Sequence, residues 1–346
     1  MVLTAGNSFL RISVADQSYV GTARRAIKEK AAEVGFSGEP LEKLSILSTE
    51  LATNLAKHAS SGGEIFFFDE STESTIAGRL LAIDRGPGIE NLDEAMQDGV
   101  SSKNTLGGGL GALKRLSDSV EISSAPGKGT VIQCLVSQSV QGRVKSNLLE
   151  KSPALEIGFI SVPHPAEIVC GDGAAAVVMD KMVSILVTDG LGHGEGAAEA
   201  SRRAVELFRQ NAFDSPTSLV RRIHAELATT RGAALALAQI DLMSDLLTFV
   251  GVGNITARIY SRYSSFGCVS IQGIVGGALG SLKPYEYEWS PGSRMLMYSD
   301  GILSAAKLTE RTVSSANMTA AEIYRDFSRM NDDATVVVVK SKSEGR

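Results

Sequence analysis

ILVTDGLGHGEGAAEASRRAVELF, residues 185–208, runs from an apolar β-like segment through an Asp-Gly step into a helical one. The apolar run Val183–Thr188 ends on the carboxylate of Asp189. A charge at the end of a buried strand is costly unless compensated, and a divalent cation is one compensator. Outward from this stretch the arrangement recurs with Asp172 in EIVCGDG, Asp300 in MLMYSDGI, and Asp332, followed by Asp333, in NDDATVVVV. A lone Asp-Gly step is usually a plain turn. Four such acids in one segment, each beside a strand candidate, favour convergence on one site. Further β-like runs lie at Ile157–Val162, Ala174–Met179, Ala233–Ile240, Leu246–Val252, Thr256–Tyr260, Arg294–Ser299 and Thr335–Val339. Helical runs at Glu195–Asn211 and Pro216–Thr229 interrupt them, which predicts an α+β layered sandwich.

Upstream, Gln138 to Pro153 is polar and aperiodic, as a connector between domains should be. The expected division is therefore residues 1–138, a linker at 139–153, and residues 154–346. In the first part the strongest helix spans about Pro40 to Ala59, with Leu41, Leu44, Leu51 and Leu55 on one face. Strands are expected at Glu64–Phe68, Arg79–Asp84, Val120–Ser124 and Thr130–Val136, the last two joined as a hairpin through Ala125-Pro126-Gly127-Lys128. Within STELATNLAKHA, Glu50 and Asn54 stand four apart, so a carboxylate and an amide share one helix face, with Lys57 and His58 one turn on. His58 is expected to pack on its helix. Asp84-Arg85-Gly86-Pro87-Gly88-Ile89 follows an apolar strand, and Gly107-Gly108-Gly109-Leu110-Gly111 opens a helical run, where backbone amides can approach phosphates.

The composition is that of an ordinary globular chain: 346 residues, 43% hydrophobic, 21% charged, 35 Gly and 9 Pro. A net charge of -5 argues against nucleic-acid binding as the main activity. The three cysteines, Cys134, Cys170 and Cys268, are too scattered for a disulfide framework or a zinc ribbon. No export signal or membrane-length apolar run is written, so a cytoplasmic protein with no membrane partner is expected.

Taken in order, the motifs of the first part resemble the N, G1 and G2 boxes of the GHKL ATPases, the superfamily of gyrase and histidine kinases. VGFSGEPLEKLSILSTELATNLAKHA, DRGPGIENLDEAMQDGVSSKNTLGGGLGALKRLSD and APGKGT are most similar to the serine kinases and anti-sigma factors of bacterial partner switching. The resemblance implies a two-layer α/β sandwich of the Bergerat type that binds ATP with Mg²⁺. By it, Glu50 is the general base and Asn54 the Mg²⁺ ligand, Asp84 reads the adenine amino group, and Gly86 and Gly88 pass beneath the base. Gly107, Gly109 and Gly111 would wrap the phosphates with Thr130 behind them, and Lys57 matches a lysine of the histidine-kinase branch.

The second part resembles the bacterial sporulation and stress-response branch of the metal-dependent PPM serine/threonine phosphatases, on ILVTDGLGHGEGAAEASRRAVELF, FVGVGNITARI, GIVGGALG, MLMYSDGI and DDATVVVV. That implies an αββα sandwich holding two Mn²⁺ or Mg²⁺ ions. Asp189 would act as the catalytic bridge, assisted by the carbonyl of Gly190 and the carboxylates of Asp172, Asp300 and Asp332. His193 would be a proton donor or an ordinary loop residue. The arginine motif with which eukaryotic members bind phosphate is absent, VPHPAEIVCGD standing in its place. Together the resemblances imply a kinase and phosphatase acting on STAS-domain antagonists in sigma-factor control, with a homodimer left open. The alternatives are an ATP-gated docking or anti-sigma module that steers the phosphatase, or a phosphatase with nucleotide as its allosteric input.

Overall fold

The computed structural model describes residues 2–5, 9–59, 62–72, 74–92, 109–139, 155–309 and 314–341. The described chain forms two units, residues 7–150 and residues 1–6 with 151–346. Its first strand, β1 (Val2–Ala5), belongs to the second unit and is taken up there.

The first unit is organised around α2 (Gly38–His58). Leu44, Leu47, Leu51 and Leu55 fall on one stripe of that helix and are fully or almost fully buried. Its partner α1 (Val20–Val34) buries Ala23, Ile27 and Ala31, four apart, which lets the two helices approach closely. Beneath them lies an antiparallel sheet of β2 (Phe9–Val14), β3 (Gly63–Asp69), β4 (Thr75–Asp84), β5 (Ser119–Ala125) and β6 (Gly129–Ser139), in the order β2-β3-β4-β6-β5. The core is made where the leucines of α2 meet Ile65, Phe67, Leu80, Ala82, Ile132 and Val136. A short α3 (Gly109–Leu116) packs against α2. Truncating Leu51 to Ala removes buried methyl groups from this contact and should cost about 2–5 kcal/mol. Chemical denaturation monitored on the first unit checks this, and a loss below about 1 kcal/mol would mean that the α2 stripe does not hold the unit together.

The second unit stacks two sheets. One contains β8 (Asp172–Met179), β9 (Met182–Gly190), β10 (Ala233–Asp241), β11 (Leu246–Val252), β14 (Ser270–Ile271) and β15 (Tyr285–Glu288). The other has the order β13 (Ser265–Gly267), β12 (Thr256–Tyr260), β16 (Arg294–Tyr298), β17 (Ala334–Ser341), β7 (Leu155–Val162). Residues alternate by face. Ala176, Ile185, Val187 and Ala236 meet Ile259, Met297, Val337 and Val339 between the sheets. Ala175, Leu186, Leu235 and Leu237 point the other way, onto α4 (Glu195–Gln210) and α5 (Pro216–Glu226). The helical run expected to reach Thr229 ends as α-helix at Glu226 and closes in a 3₁₀ turn. A last helix, α6 (Ala316–Phe327), covers β7 and β17 from outside. The strands are buried on both faces, which is why they read as unbroken apolar runs. The result is the expected α+β architecture: a two-layer α/β unit and an αββα sandwich.

Placement of the first residues differs from the sequence reading. β1 pairs antiparallel with β8, Val2 opposite Val177 and Ala5 opposite Ala174, so residues 1–6 go with the second unit rather than with the domain assigned to 1–138. The physical reason is the open edge of β8, whose backbone groups need partners. Of the expected linker at 139–153, all but Ser139 lies outside the described residues. Among the described residues no helix is long and apolar enough to cross a membrane.

Candidate functional site

In the second unit, β8 and β9 pair so that Asp172 stands directly opposite Asp189. Like charges in that relation repel. From the other sheet come Asp300, two residues beyond the end of β16, and Asp332, two before the start of β17. Ser299 joins the groups: its hydroxyl donates to Asp172 Oδ2 at 2.6 Å and accepts the N–H of Thr335 at 2.9 Å. Asn254, at the β11–β12 turn, donates its amide to Asp300 Oδ2 at 2.8 Å, with Asp189 Oδ2 at 3.4 Å. Asp189, Asp300, Asp332, Asn254, Gly192 and Gln272 line a cavity of about 470 Å³. Asp172 lies behind it, 7% exposed.

The electrostatics follow from this crowding. Burial, and then the charge of Asp189, holds the Asp172 carboxyl well above the usual carboxylate range, against the hydrogen bond from Ser299. Burial, then Asp300 and Asp332, push Asp189 up to about 7. Asp300 is raised by burial and Asp332, with Asn254 opposing. Among the described residues no three ionisable side chains form a ready-made cation cage. Instead the acids stand apart, with the Asn254 amide between two of them. One further oxygen, Asp333 Oδ2, is buried without a partner. An all-oxygen, mutually repelling set at strand ends suits hard divalent cations such as Mg²⁺ or Mn²⁺, and the residues fit them. Gly190 is sterically required, since a Cβ there would collide with the carbonyl of Ala197.

A raised carboxyl pKa has a signed consequence. Between the ordinary value near 3.8 and about 7, folded Asp189 keeps a proton that the unfolded chain has released, so stability falls as pH rises through that window. The melting temperature in chelator should therefore drop between pH 5.5 and 7.5, less steeply in Asp189→Asn, and added Mn²⁺ should cancel the drop. Identical pH slopes for the two proteins in chelator would remove Asp189 from the account.

His193 follows Gly192, which lines the cavity. Its Nδ1 pairs with Glu167 Oε1 at 2.7 Å and its ring stacks on His164 with centroids 4.7 Å apart. Asp333 is buried and accepts the His164 N–H at 2.8 Å. Burial raises the Cys170 thiol well above its usual value, as expected of an inert thiol. Asn254 and Ser299 were not singled out in the sequence. Their only signals are an Asn after Gly253 and a Ser before an Asp-Gly step, both commonplace in turns.

In the first unit, Glu50 and Asn54 are half-buried on α2. Among the described residues the Glu50 carboxylate has no partner, and Asn54 Nδ2 is buried with no acceptor. β4 delivers Asp84, whose Oδ1 accepts the N–H of Gly86 at 2.8 Å. The loop is laced to the β5–β6 hairpin: Gly127 N–H donates to Pro87 O at 2.7 Å and Ile89 N–H to Ser124 Oγ at 2.8 Å, while Ser124 Oγ lies 2.9 Å from Thr130 Oγ1. Gly88 has φ of 76°, and a Cβ there would strike the Ala125 carbonyl. Gly86 packs beside Ala59, just past the end of α2, so helix and loop border one space. Lys57 and His58 are exposed in the last turn of α2, where cations favour the helix dipole; the expected packing of His58 is not found. Gly109 opens α3 and Gly111 lies in it, whereas Gly107 is outside the described residues. The unpaired amide of Asn54 calls for an acceptor.

The fold is that of a histidine kinase-like ATPase unit joined to a phosphatase-type unit. Residues 13–134 match the family model described as histidine kinase-like ATPase domain, and residues 179–342 that of stage II sporulation protein E (SpoIIE). The serine/threonine-protein kinase RsbT of Bacillus subtilis (strain 168) is 33% identical over 113 residues, covering 33% of this chain and 84% of RsbT. Among solved structures, one reported under the bacterial stressosome as a modular system adapted to control secondary messenger signaling aligns with TM-score 0.51 and 28% identity, over 54% of this chain and 98% of that one. RsbX in complex with magnesium aligns with TM-score 0.50 and 21% identity, over 55% and 96%. The chain belongs to the histidine kinase-like ATPase family of RsbT in its first half and carries a SpoIIE-type PPM phosphatase domain in its second.

Proposed function

We propose that this chain is a bifunctional regulator of a bacterial partner-switching cascade, a serine kinase and a phosphoserine phosphatase acting on STAS-domain antagonists of the sigma-factor or stressosome type. The observation that carries the reading is that each unit keeps the acid its chemistry needs, Glu50, without a partner among the described residues, one turn from Asn54 in one and Asp189 opposite Asp172 in the other. In the first unit, Asn54 would hold the Mg²⁺ of Mg·ATP, Asp84 would take the adenine amino group, and Gly86 and Gly88 would leave room for the base. Gly107, Gly109 and Gly111 supply backbone amides, Thr130 backs them, and Lys57 stands at the rim. Glu50 accepts the proton of the attacking serine hydroxyl. In the second unit, Asp172, Asp189, Asp300, Asp332 and the Gly190 carbonyl would hold two divalent ions, which when bound would supply an activated water. The Asn254 amide orients Asp300, and Ser299 fixes Asp172.

The test is incubation of the full chain with labelled ATP and a STAS-domain protein, with Mg²⁺ and then Mn²⁺. Label should move onto a serine of the partner and later leave as phosphate. Label that never reaches the partner, with phosphoserine still hydrolysed, would leave the first unit as an ATP-gated docking module.

A further inference from the structure

The cavity of the second unit is lined by acids and backed by another, yet a phosphomonoester brings negative charge of its own. Ions held by the carboxylates are consumed largely in offsetting those carboxylates, so a cationic side chain at the rim is needed to favour the phosphate. Arg329 meets the geometric conditions. Its Nε donates to the carbonyl of Asp300 at 2.8 Å, and its backbone N–H donates to the carbonyl of Gly301, also at 2.8 Å. The side chain and the main chain are thus both fastened to the turn that carries a cavity acid. The next residue, Met330, has φ of 60°, a bend that side chains other than glycine seldom adopt. The guanidinium is exposed, and among the described residues it forms no ion pair, so both terminal amino groups are uncommitted. Its charge reaches the site, where it lowers the Asp300 carboxyl against burial and Asp332. Arg231 is the other cation near the cavity, but it is differently held: it leans over Gly196, and its Nη1 passes beside Gly192 and donates to the carbonyl of His193 at 3.3 Å.

We propose that Arg329 is the phosphate-binding residue of this site, its two terminal amino groups receiving the non-bridging oxygens of a phosphoserine side chain. The planar fork of an arginine suits two such oxygens, and anchoring through Nε leaves the fork preorganised. This rests on the phosphatase reading above.

The probe is inorganic phosphate, titrated calorimetrically into the Mn²⁺-loaded full chain, alongside initial rates on a phosphoserine peptide. Arg329→Ala should weaken phosphate binding and raise the KM for the peptide by about ten- to a hundredfold, the scale of a charged hydrogen-bond pair. Arg329→Lys should recover part of the loss, and Arg231→Ala should leave phosphate binding at the parental value. Loss of a positive charge beside Asp300 should at the same time lower, or leave unchanged, the Mn²⁺ concentration needed for half-maximal activity. Opposite signs for the two ligands separate phosphate contact from a role in holding the Asp300 turn, which would weaken both. Unchanged phosphate affinity in Arg329→Ala, parallel weakening of phosphate and Mn²⁺, or a wild-type chain that binds no phosphate overturns the assignment. A wild-type chain that binds phosphate but hydrolyses no phosphoserine defeats the phosphatase reading instead, and the titrations still decide the role of Arg329.

Discussion

Asp189→Asn is expected to lower phosphoserine hydrolysis by about three orders of magnitude or more while raising the melting temperature of the metal-free protein. The activity loss has the scale of removing a central catalytic group. Asp189 faces Asp172 across the β8–β9 ladder and shares the cavity with Asp300 and Asp332, so it is the acid best placed to touch two cations. The gain in stability has the same origin. Asparagine keeps the volume and an oxygen for the Asn254 amide but removes the buried charge, and with it the desolvation and the repulsion from Asp300 and Asp332 that push the Asp189 carboxyl up to about 7. Opposite changes in activity and stability are typical of a site held under strain for function. Hydrolysis in the wild type should also vanish with chelator and return with Mn²⁺ or Mg²⁺. Parental turnover by Asp189→Asn, or activity that survives chelation, would reject the carboxylate-held ions and leave the unit as a binding scaffold.

The second large effect lies in the first unit, where two substitutions on one face of α2 should differ in kind. Glu50→Ala should still bind Mg·ATP but lose roughly two to four orders of magnitude in transfer to a partner serine, as removal of a general base does. Asn54→Ala should weaken nucleotide binding as well, because the buried amide without an acceptor is the group that nucleotide binding would satisfy. Equilibrium binding of a fluorescent ATP analogue, read beside phosphotransfer, separates the two. Near-parental phosphorylation by both variants would remove this pair from the chemistry.

Much of this architecture could be read from apolar runs, because strands buried on both faces, such as β9 and β10, and a helix with a leucine stripe, such as α2, announce themselves. What escaped was held by small or distant residues. α1 contributes Ala23, Ile27 and Ala31 among many charged neighbours, a stripe too thin to stand out. α6 buries Ala316, Ala320 and Ala321 along with Met318, Thr319, Ile323, Tyr324 and Arg325, a mixed face without a clear apolar stripe. β13, β14 and β15 are two to four residues long and exist through their partners. At the phosphatase site the acids were legible because carboxylates beside buried strands are unusual. Asn254, Ser299 and the Glu167–His193 pair were not, because only pairing across 26 to 127 residues gives them meaning.

The pairing of β1 with β8 has a consequence for the order of synthesis. Val2 leaves the ribosome first, but its ladder partner Val177 follows only after the whole ATPase-type unit has been made. At about 5–20 residues per second, β1 waits on the order of ten to thirty seconds without its sheet. During that interval residues 7–150 are already complete, while the sheet of the second unit closes late, once β8 has been made. The nascent protein therefore passes through a stage at which its ATPase-type unit is complete and the sheet that carries Asp172 and Asp189 is not.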